Sequence, residues 1–287
     1  MGAYMFTYSP VKFNEQSLHR YESLFYTCFL KSRKFEPITL NWLYVENPDG
    51  LAVGFDAFDG ETLAAHYVCI PATLRVNGKL EKALLSLNTA THPQYQKKGL
   101  FTKLAEMTYQ AAADLGFCTV YGVANANSTP GFVRKLGFQL VQPLNAKIGF
   151  GSLGIDFSMA SSNAQFERVW TQESLMWRCS SPVNPILSFR KPDRIGFQAS
   201  AFGKILSAYA ELPGSVRYQG GDKGMASPFR LFLGLVPGRA CSFTGYTNIP
   251  QRLRPAPLNV IFRSLTQSAA RLEAGHIAFS FLDFDAY

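Results

Sequence analysis

Three strand-like runs joined by two tight turns, followed at once by a glycine-bearing loop and an amphipathic helix, limit what this chain can fold into more than any other feature. "AVGFDAF" turns at Asp59-Gly60 into "ETLAAHYVCIPATLRV", which turns at Asn77-Gly78 into "KLEKALLSLNTATHP". Such pairs supply the left-handed backbone that a short hairpin needs, so the runs predict an antiparallel meander. Pro71, inside the middle run, brings no N–H to a ladder and predicts a bulge or an edge position. The stretch "HPQYQKKGLFTKLAEMTYQAA" then sets Leu100, Leu104, Met107, Ala111 and Leu115 on one helical face, closed by Gly116.

The flanks extend this pattern. Leu18, Tyr21, Leu24, Phe25 and Cys28 recur at helical spacing behind a cap at Asn14, and "EPITLNWLYVENPDG" reads as a second short helix that stops near Asn47-Pro48. Beyond the central helix, "FCTVYGVANA" predicts a buried strand, "STPGFVRKLG" a short helix and "FQLVQPLNAKIGF" one further strand. The expected fold class is α/β, an α+β arrangement around a mixed sheet with its crossover at the Lys97-Lys98-Gly99 loop.

After residue 150 the composition changes. "GSLGIDFSMASSNAQF" is small and polar and reads as a linker, which divides the chain into 1–150 and 151–287. "ESLMWRCSSP" in the second part echoes "ITLNWLYVENP" in the first: Leu175 and Trp177 match Leu40 and Trp42, each pair followed by proline. That echo predicts two divergent copies of one architecture. The second ends with strand-like "APLNVIFRSL" and "HIAFSFLDFDAY" and has no glycine-and-lysine loop.

Composition excludes several classes. With 47% hydrophobic and 17% charged residues among 287, the chain is expected to pack a core rather than remain disordered. Five widely spaced cysteines without a Cys-x-x-Cys pair argue against a disulfide framework or a zinc site, so no metal is expected and a reducing cytoplasm fits. No apolar run is long enough to span a bilayer, and "MGAYMFTYSPVKF" lacks the order of a signal peptide. A net charge of +8 points to an anionic partner, but basic residues are scattered rather than striped, so nucleic acid is not the expected one. "GFGSLG", Gly149 to Gly154, matches a dinucleotide fingerprint only formally, since no amphipathic helix or acidic residue follows at the required distance.

The first amides of a helix have no internal partner and carry the positive end of the helix dipole, so a helix start can hold phosphate. Gly99 would let such a ligand approach the backbone, and Lys97 and Lys98 would add charge beside it. On spacing alone, a phosphate cradle and a solvated loop with an ordinary glycine are equal readings.

The wording of the motif goes further. "HPQYQKKGLFTKL" resembles the pyrophosphate-binding motif of the GNAT superfamily of N-acetyltransferases, and "NANSTPGFVRKLGF" resembles the later helix of that family with its Leu-Gly-Phe end. The resemblance covers about residues 1 to 150, and the longer phrase is similar to a bacterial subgroup built as tandem GNAT units and associated with surface-polysaccharide genes. It implies a GNAT fold, a degenerate GNAT-like second unit on the acceptor side, and acetyl-coenzyme A or another acyl-coenzyme A as co-substrate. The loop amides from Gln96 through Lys97, Lys98, Gly99, Leu100, Phe101 and Thr102 would wrap the pyrophosphate. Thr89, Ala90 and Thr91 would hold the pantetheine arm and the thioester carbonyl, and Asn127 would meet the coenzyme near its sulfur. The implied acceptor is a small-molecule amine, first of all a nucleotide-linked amino sugar.

Two positions depart from the family pattern. Phe101 stands where Gly or Ala is usual, and Val133 where many members carry a tyrosine that protonates the thiolate. Ser128 and Tyr121 are candidate substitutes. For the general base, His66 in mid-strand is the candidate, against its alternative as a satisfied core histidine. His92, Glu81 and Asn88 are further candidates, the last two through an ordered water; His19 and His276 read as structural. Trp42 and Tyr44 are either acceptor-side residues or core aromatics.

Overall fold

A computed structural model describes residues 5–202, 205–220, 227–250, 257–266 and 271–285. The first sheet begins with β1 (Phe6–Pro10). Helix α1 (Glu15–Cys28) follows, its Asn14 cap accepting from the Ser17 amide at 2.9 Å, and then α2 (Pro37–Tyr44), with proline in its first turn where no N–H is needed. The expected meander is present as β2 (Val53–Asp59), β3 (Thr62–Val76) and β4 (Lys79–Thr91). Asn77 and Gly78 have φ of 48° and 79°, the mirror-image turn that an Asn-Gly pair favours. Pro71 pairs with Leu84 on one side; on the other it falls between the end of β2 pairing at Cys69 and the β8 pairing at Leu74, the expected edge position.

Helix α3 (Leu100–Asp114) crosses to β5 (Thr119–Ala124), which lies parallel to β4. Its buried face runs through Leu100, Leu104, Ala105, Thr108, Tyr109 and Ala112; Met107 and Ala111 are half-buried and Leu115, past the last helical residue, is exposed. Small residues and a tyrosine therefore carry the stripe that leucine spacing placed one position away. The predicted short helix contains a π-helical turn at Gly131–Lys135.

"FQLVQPLNAKIGF" is two strands rather than one. β6 (Gln139–Pro143) ends at a proline that cannot donate, and β7 (Asn145–Gly149) enters a different sheet. The small polar stretch expected as a linker is folded, with Leu153 buried and α4 (Phe157–Asn163) capped by Asp156. The remaining elements are β8 (Phe166–Arg168), α5 (Gln172–Cys179), β9 (Leu187–Arg190), β10 (Arg194–Phe202), β11 (Leu206–Pro213), β12 (Phe229–Gly234), β13 (Tyr246–Asn248) and β14 (Asn259–Ser264). "HIAFSFLDFDAY" forms isolated bridges at Ile277 and Phe279 and a short 3-10 turn at Phe281–Asp283 instead of a strand, and its last two residues lie outside those described. Ala256, at the head of "APLNVIFRSL", also lies outside them.

The two sheets have matching orders. The first runs β1-β2-β3-β4-β5-β14-β6 with β8 on β3; the second runs β9-β10-β11-β12-β7-β13. In each, an antiparallel meander leads to a parallel pair, β4 with β5 and β11 with β12. Each parallel pair is then followed by a strand from the other part of the chain: β14 pairs with β5, and β7 with β12. The core of the first sheet lies on both faces. Tyr21, Phe25, Leu40 and Tyr44 of α1 and α2 pack on one, and Leu100, Leu104 and Tyr109 of α3 on the other.

Candidate functional site

The meander, the crossover and the exchanged strand meet at one place. β4 and β5 pair through Ala83↔Thr119 to Ser86↔Gly122 and no further, so residues 87 to 91 part from the end of β5. On its other side β4 bulges: Val68 faces Leu87 and His66 faces Ala90, which sets Asn88 and Thr89 against Tyr67 alone, with Asn88 at φ 46°. The bulge turns the strand away from its parallel neighbour and opens a cleft of about 900 Å³.

Asn88 and Thr89 line this cleft from β4, Gly122 and Val123 from β5, and Asn125, Asn127, Ser128 and Phe132 from the segment beyond. Phe29, Leu30, Ser32, Lys34 and Phe35 close it from the α1–α2 connection. The opposite wall, Leu233, Leu258, Ile261, Phe284 and Asp285, comes from the second half of the chain. Ala90 is buried, and the Thr91 carbonyl accepts from Cys28 Sγ at 3.4 Å, so the strand end is tied to α1.

The loop after β4 is anchored at its start and carries two left-handed positions. Buried Tyr95 anchors it by donating to Asp59 Oδ2 at 3.0 Å. Lys97 and Gly99 both have left-handed backbone, φ 63° and 78°, on either side of Lys98, an alternation that turns neighbouring amides toward a common concavity. The first amide of α3 with a partner is that of Lys103, bonded to Gly99 O at 3.0 Å; Leu100, Phe101 and Thr102 precede it in the first turn. A Cβ at Gly99 would meet no protein atom within 4 Å, so it is the backbone angle rather than packing that favours glycine here. Gln96 and Lys97 are exposed, and Lys98 Nζ lies 5.3 Å from the Tyr95 ring centroid. Phe101 turns its ring inward, edge-on to Tyr67 and Phe132 at 5.9 and 5.3 Å and close to Gly131, which leaves its amide at the helix start.

His66 is fully buried behind the bulge, its Nδ1 2.7 Å from Asp56 Oδ1. Tyr21 donates to the other Asp56 oxygen at 2.7 Å, and His66 Nε2 lies 3.5 Å from Tyr44 Oη, which accepts from Asn88 Nδ2 at 3.0 Å. Among the described residues, Tyr44 links His66 to Asn88 in the cleft wall. Burial pushes the Tyr44 phenol far above its ordinary pKa; Asn88 opposes this and the charges of Asp285 and Asp56 add to it. Trp42 is a core residue, stacked on Trp177 at 4.9 Å.

Other candidates stand elsewhere. Tyr121 is buried and donates to Asp283 O at 3.3 Å, and Glu81 faces Leu74 near the far end of β4, seven residues from Asn88 and so on the order of 20 Å away along the strand. Neither lines the cleft. His92 accepts from the Gln94 amide at 3.3 Å and lines a separate groove with His19 and Arg20; His276 lies 2.9 Å from Asn163 O. Ser128 does line the cleft, its hydroxyl engaged with Asn125 Oδ1 at 3.1 Å, while the Asn127 amide donates to the same oxygen at 3.0 Å.

Sequence reasoning missed Asp285. Among the described residues it is the one carboxylate lining the cleft, and Lys34 is the one lysine or arginine. It is held there from a distance: the buried Arg178 guanidinium of α5 donates to the carbonyls of Phe281, Leu282 and Phe284 at 3.2, 3.0 and 2.7 Å. Nothing in "FLDFDAY" marks that role, which depends on a grip from more than a hundred residues away. Among the described residues no His, Cys, Asp and Glu group is arranged as a metal site, and no helix is long and apolar enough to cross a membrane.

Comparison with known proteins agrees with the topology. Residues 10–141 match the family model described as Acetyltransferase (GNAT) domain. The chain is similar to a solved GCN5-related N-acetyltransferase from Anabaena variabilis, at TM-score 0.56 and 10% identity over 91% of this chain and 73% of that one. It is similar to a conserved protein from Enterococcus faecalis described as a probable N-acyltransferase, at 0.58 and 10% over 91% and 73%. It is also similar to Eis1 from Mycobacterium abscessus, at 0.54 and 10% over 91% and 74%. At such identities the likenesses establish the fold, a GNAT-like mixed α/β arrangement. No curated protein matches the chain by sequence.

Proposed function

We propose that this chain is an N-acyltransferase that moves an acetyl or other short acyl group from acyl-coenzyme A to a primary amine. One observation carries the reading: the parting of β4 from β5 at Ser86 and Gly122 stands directly before the left-handed Lys97–Gly99 loop and the start of α3. A diphosphate fits the helix start, where main-chain donors and the lysines oppose its charge. The pantetheine arm then runs past Thr89, Ala90 and Thr91, extending β4 on the side that β5 leaves unpaired. Asn127 stands at the sulfur end.

The chemistry asked of the protein is modest. The amine attacks the thioester carbonyl, a backbone donor of the parted strand holds the developing oxyanion, and the coenzyme thiolate leaves. Asp285 is the proposed base that removes the proton of the amine, with Asn88, oriented by Tyr44 and the His66–Asp56 pair, fixing the bulge beside it. Ser128 is placed to meet the leaving sulfur.

The second half of the chain supplies the acceptor wall. The division at about residue 150 is read as two GNAT-like units that exchange one strand each, β7 for β14, and the reciprocal pairing of Trp42 with Trp177 supports that reading. The acceptor is read as an amino sugar, nucleotide-linked, in surface-polysaccharide synthesis in the cytoplasm; the net charge of +8 supports an acceptor carrying phosphate.

The reading is tested in two steps. Calorimetry with acetyl-coenzyme A on wild type and Gly99→Glu is expected to show at least a tenfold loss of affinity, since a carboxylate would occupy the phosphate position; equal affinities would end the proposal. Thiol release with a panel of amino-sugar nucleotides and simple amines then reads the reaction. Tight coenzyme binding with no release for any amine would leave a binding protein rather than an enzyme.

A further inference from the structure

The second sheet repeats the parting of strands. β11 and β12 pair through Leu206↔Phe229, Ser207↔Arg230 and Ala208↔Leu231, and then separate while β11 continues to Pro213 and β12 to Gly234. A cavity of about 270 Å³ opens at the separation, entered by Glu211, Leu212 and Pro213 from β11 and by Phe232 from β12. Leu153, Ala160, Trp170 and Phe279 belong to its remaining apolar wall.

Two features set its ligand apart from that of the first cleft. Among the described residues no helix begins between β11 and β12, so nothing equivalent to the start of α3 faces this cavity. Its polar wall is also nearly settled. Glu211 accepts from the Leu153 amide, Tyr209 and Arg194; Glu167 pairs with Arg75; and Asp283 accepts from the Ser280 amide and hydroxyl.

Among the described residues, the buried group left over in this wall is Arg168. Its side chain is 2% exposed, it lies 3.8 Å over the Trp170 ring, and it donates from Nη2 to Asp49 Oδ2 at 3.2 Å. Its Nε is buried and meets no acceptor among the described residues. A buried N–H without a partner calls for an oxygen acceptor. With Asp49 bonded to Arg168 and Asp283 in the same wall, the positive charge is already opposed, so that acceptor need not bring a charge of its own.

We propose that the parted β11–β12 edge is a second binding site, for a small uncharged molecule with one ring and one oxygen acceptor, the ring lying among Phe232, Phe279 and Trp170 and the oxygen meeting Arg168 Nε. The volume admits one ring rather than a nucleotide. Such a ligand would be held apart from the acyl-coenzyme A cleft and would not depend on the loop at Gly99.

Fluorine NMR tests this with three probes: 4-fluoroacetophenone, 4-fluorophenylacetate and 4-fluoroethylbenzene. The ketone is expected to bind at millimolar concentration or below, the hydrocarbon at least fivefold more weakly and the carboxylate weakest. Ala160→Phe and, independently, Val236→Phe place a ring in the cavity while keeping Arg168 itself; each is expected to weaken ketone binding at least tenfold while acetyl-coenzyme A affinity stays within twofold. Failure of the ketone to bind, unchanged binding in both variants, or its displacement by acetyl-coenzyme A would overturn the site. Preference for the carboxylate would overturn the assignment of an uncharged ligand.

Discussion

Gly99 and Asp285 show how differently single residues disclose a role. Gly99 is legible because backbone angle restricts residue type: at φ 78° a side chain costs about 1–2 kcal/mol, so Gly99→Ala is expected to lower stability by about that much in urea unfolding. Asp285 follows no motif, and the grip of Arg178 on the carbonyls before it helps bring it to the cleft. Asp285→Asn is expected to lower kcat on the order of a hundredfold and leave coenzyme affinity unchanged. A kcat within a few-fold of wild type would assign the base elsewhere. Phe101 lies between these cases: its departure from the family pattern is plain in the sequence, and its reason, a ring packed between Tyr67 and Phe132, is visible only in three dimensions.

Among the elements, α2 and α5 carry the sequence echo into contact. Trp42 Nε1 donates to Trp177 O at 3.2 Å and Trp177 Nε1 to Trp42 O at 2.9 Å, with the rings stacked 4.9 Å apart. Trp42→Ala removes a buried ring and one of the donors to the Trp177 carbonyl, which keeps its bonds from Ser180, and is expected to cost about 3–5 kcal/mol, read by urea unfolding. Trp177→Ala is expected to cost a similar amount, and the double variant less than the sum, since the two share one interaction. A fully additive double variant would show that the exchange is incidental. The meander was legible element by element because Asn77-Gly78 and the alternation of apolar residues are local signals. The break between β6 and β7 was not, because the chain continues extended through Leu144 and only the hydrogen-bonding partners change.

At the scale of the whole molecule, the exchange of β7 and β14 ties the two sheets together. Residues 1–150 alone would lack β14, which pairs with β5 and β6 at once, so that fragment is expected to fail to give a dispersed NMR spectrum, whereas the full chain unfolds in a single transition by both fluorescence and circular dichroism. Two resolved transitions would contradict the exchange. Buried thiols give the fold a pH dependence. Burial pushes Cys69 from 9.0 up to about 12 and Cys241 from 9.0 to about 11. A raised pKa means the folded chain keeps a proton that the unfolded chain has released, so the stability present below pH 9 falls as pH rises through 9 to 12. Cys69→Ala is expected to flatten part of that decline in urea midpoints measured across the range.

Local chemistry in the sequence determined the helices at Asn14 and Pro37, the hairpins, the glycine at the head of α3 and the crossover to β5. Each depends on the backbone preferences and periodicity of neighbouring residues. Tertiary structure alone decided which strands share a sheet, that His66 lies behind the cleft wall, and that Asp285 and Arg168 line cavities. Those outcomes rest on pairings between residues far apart in the chain, where burial and hydrogen-bond satisfaction are collective and leave no pattern in any short segment.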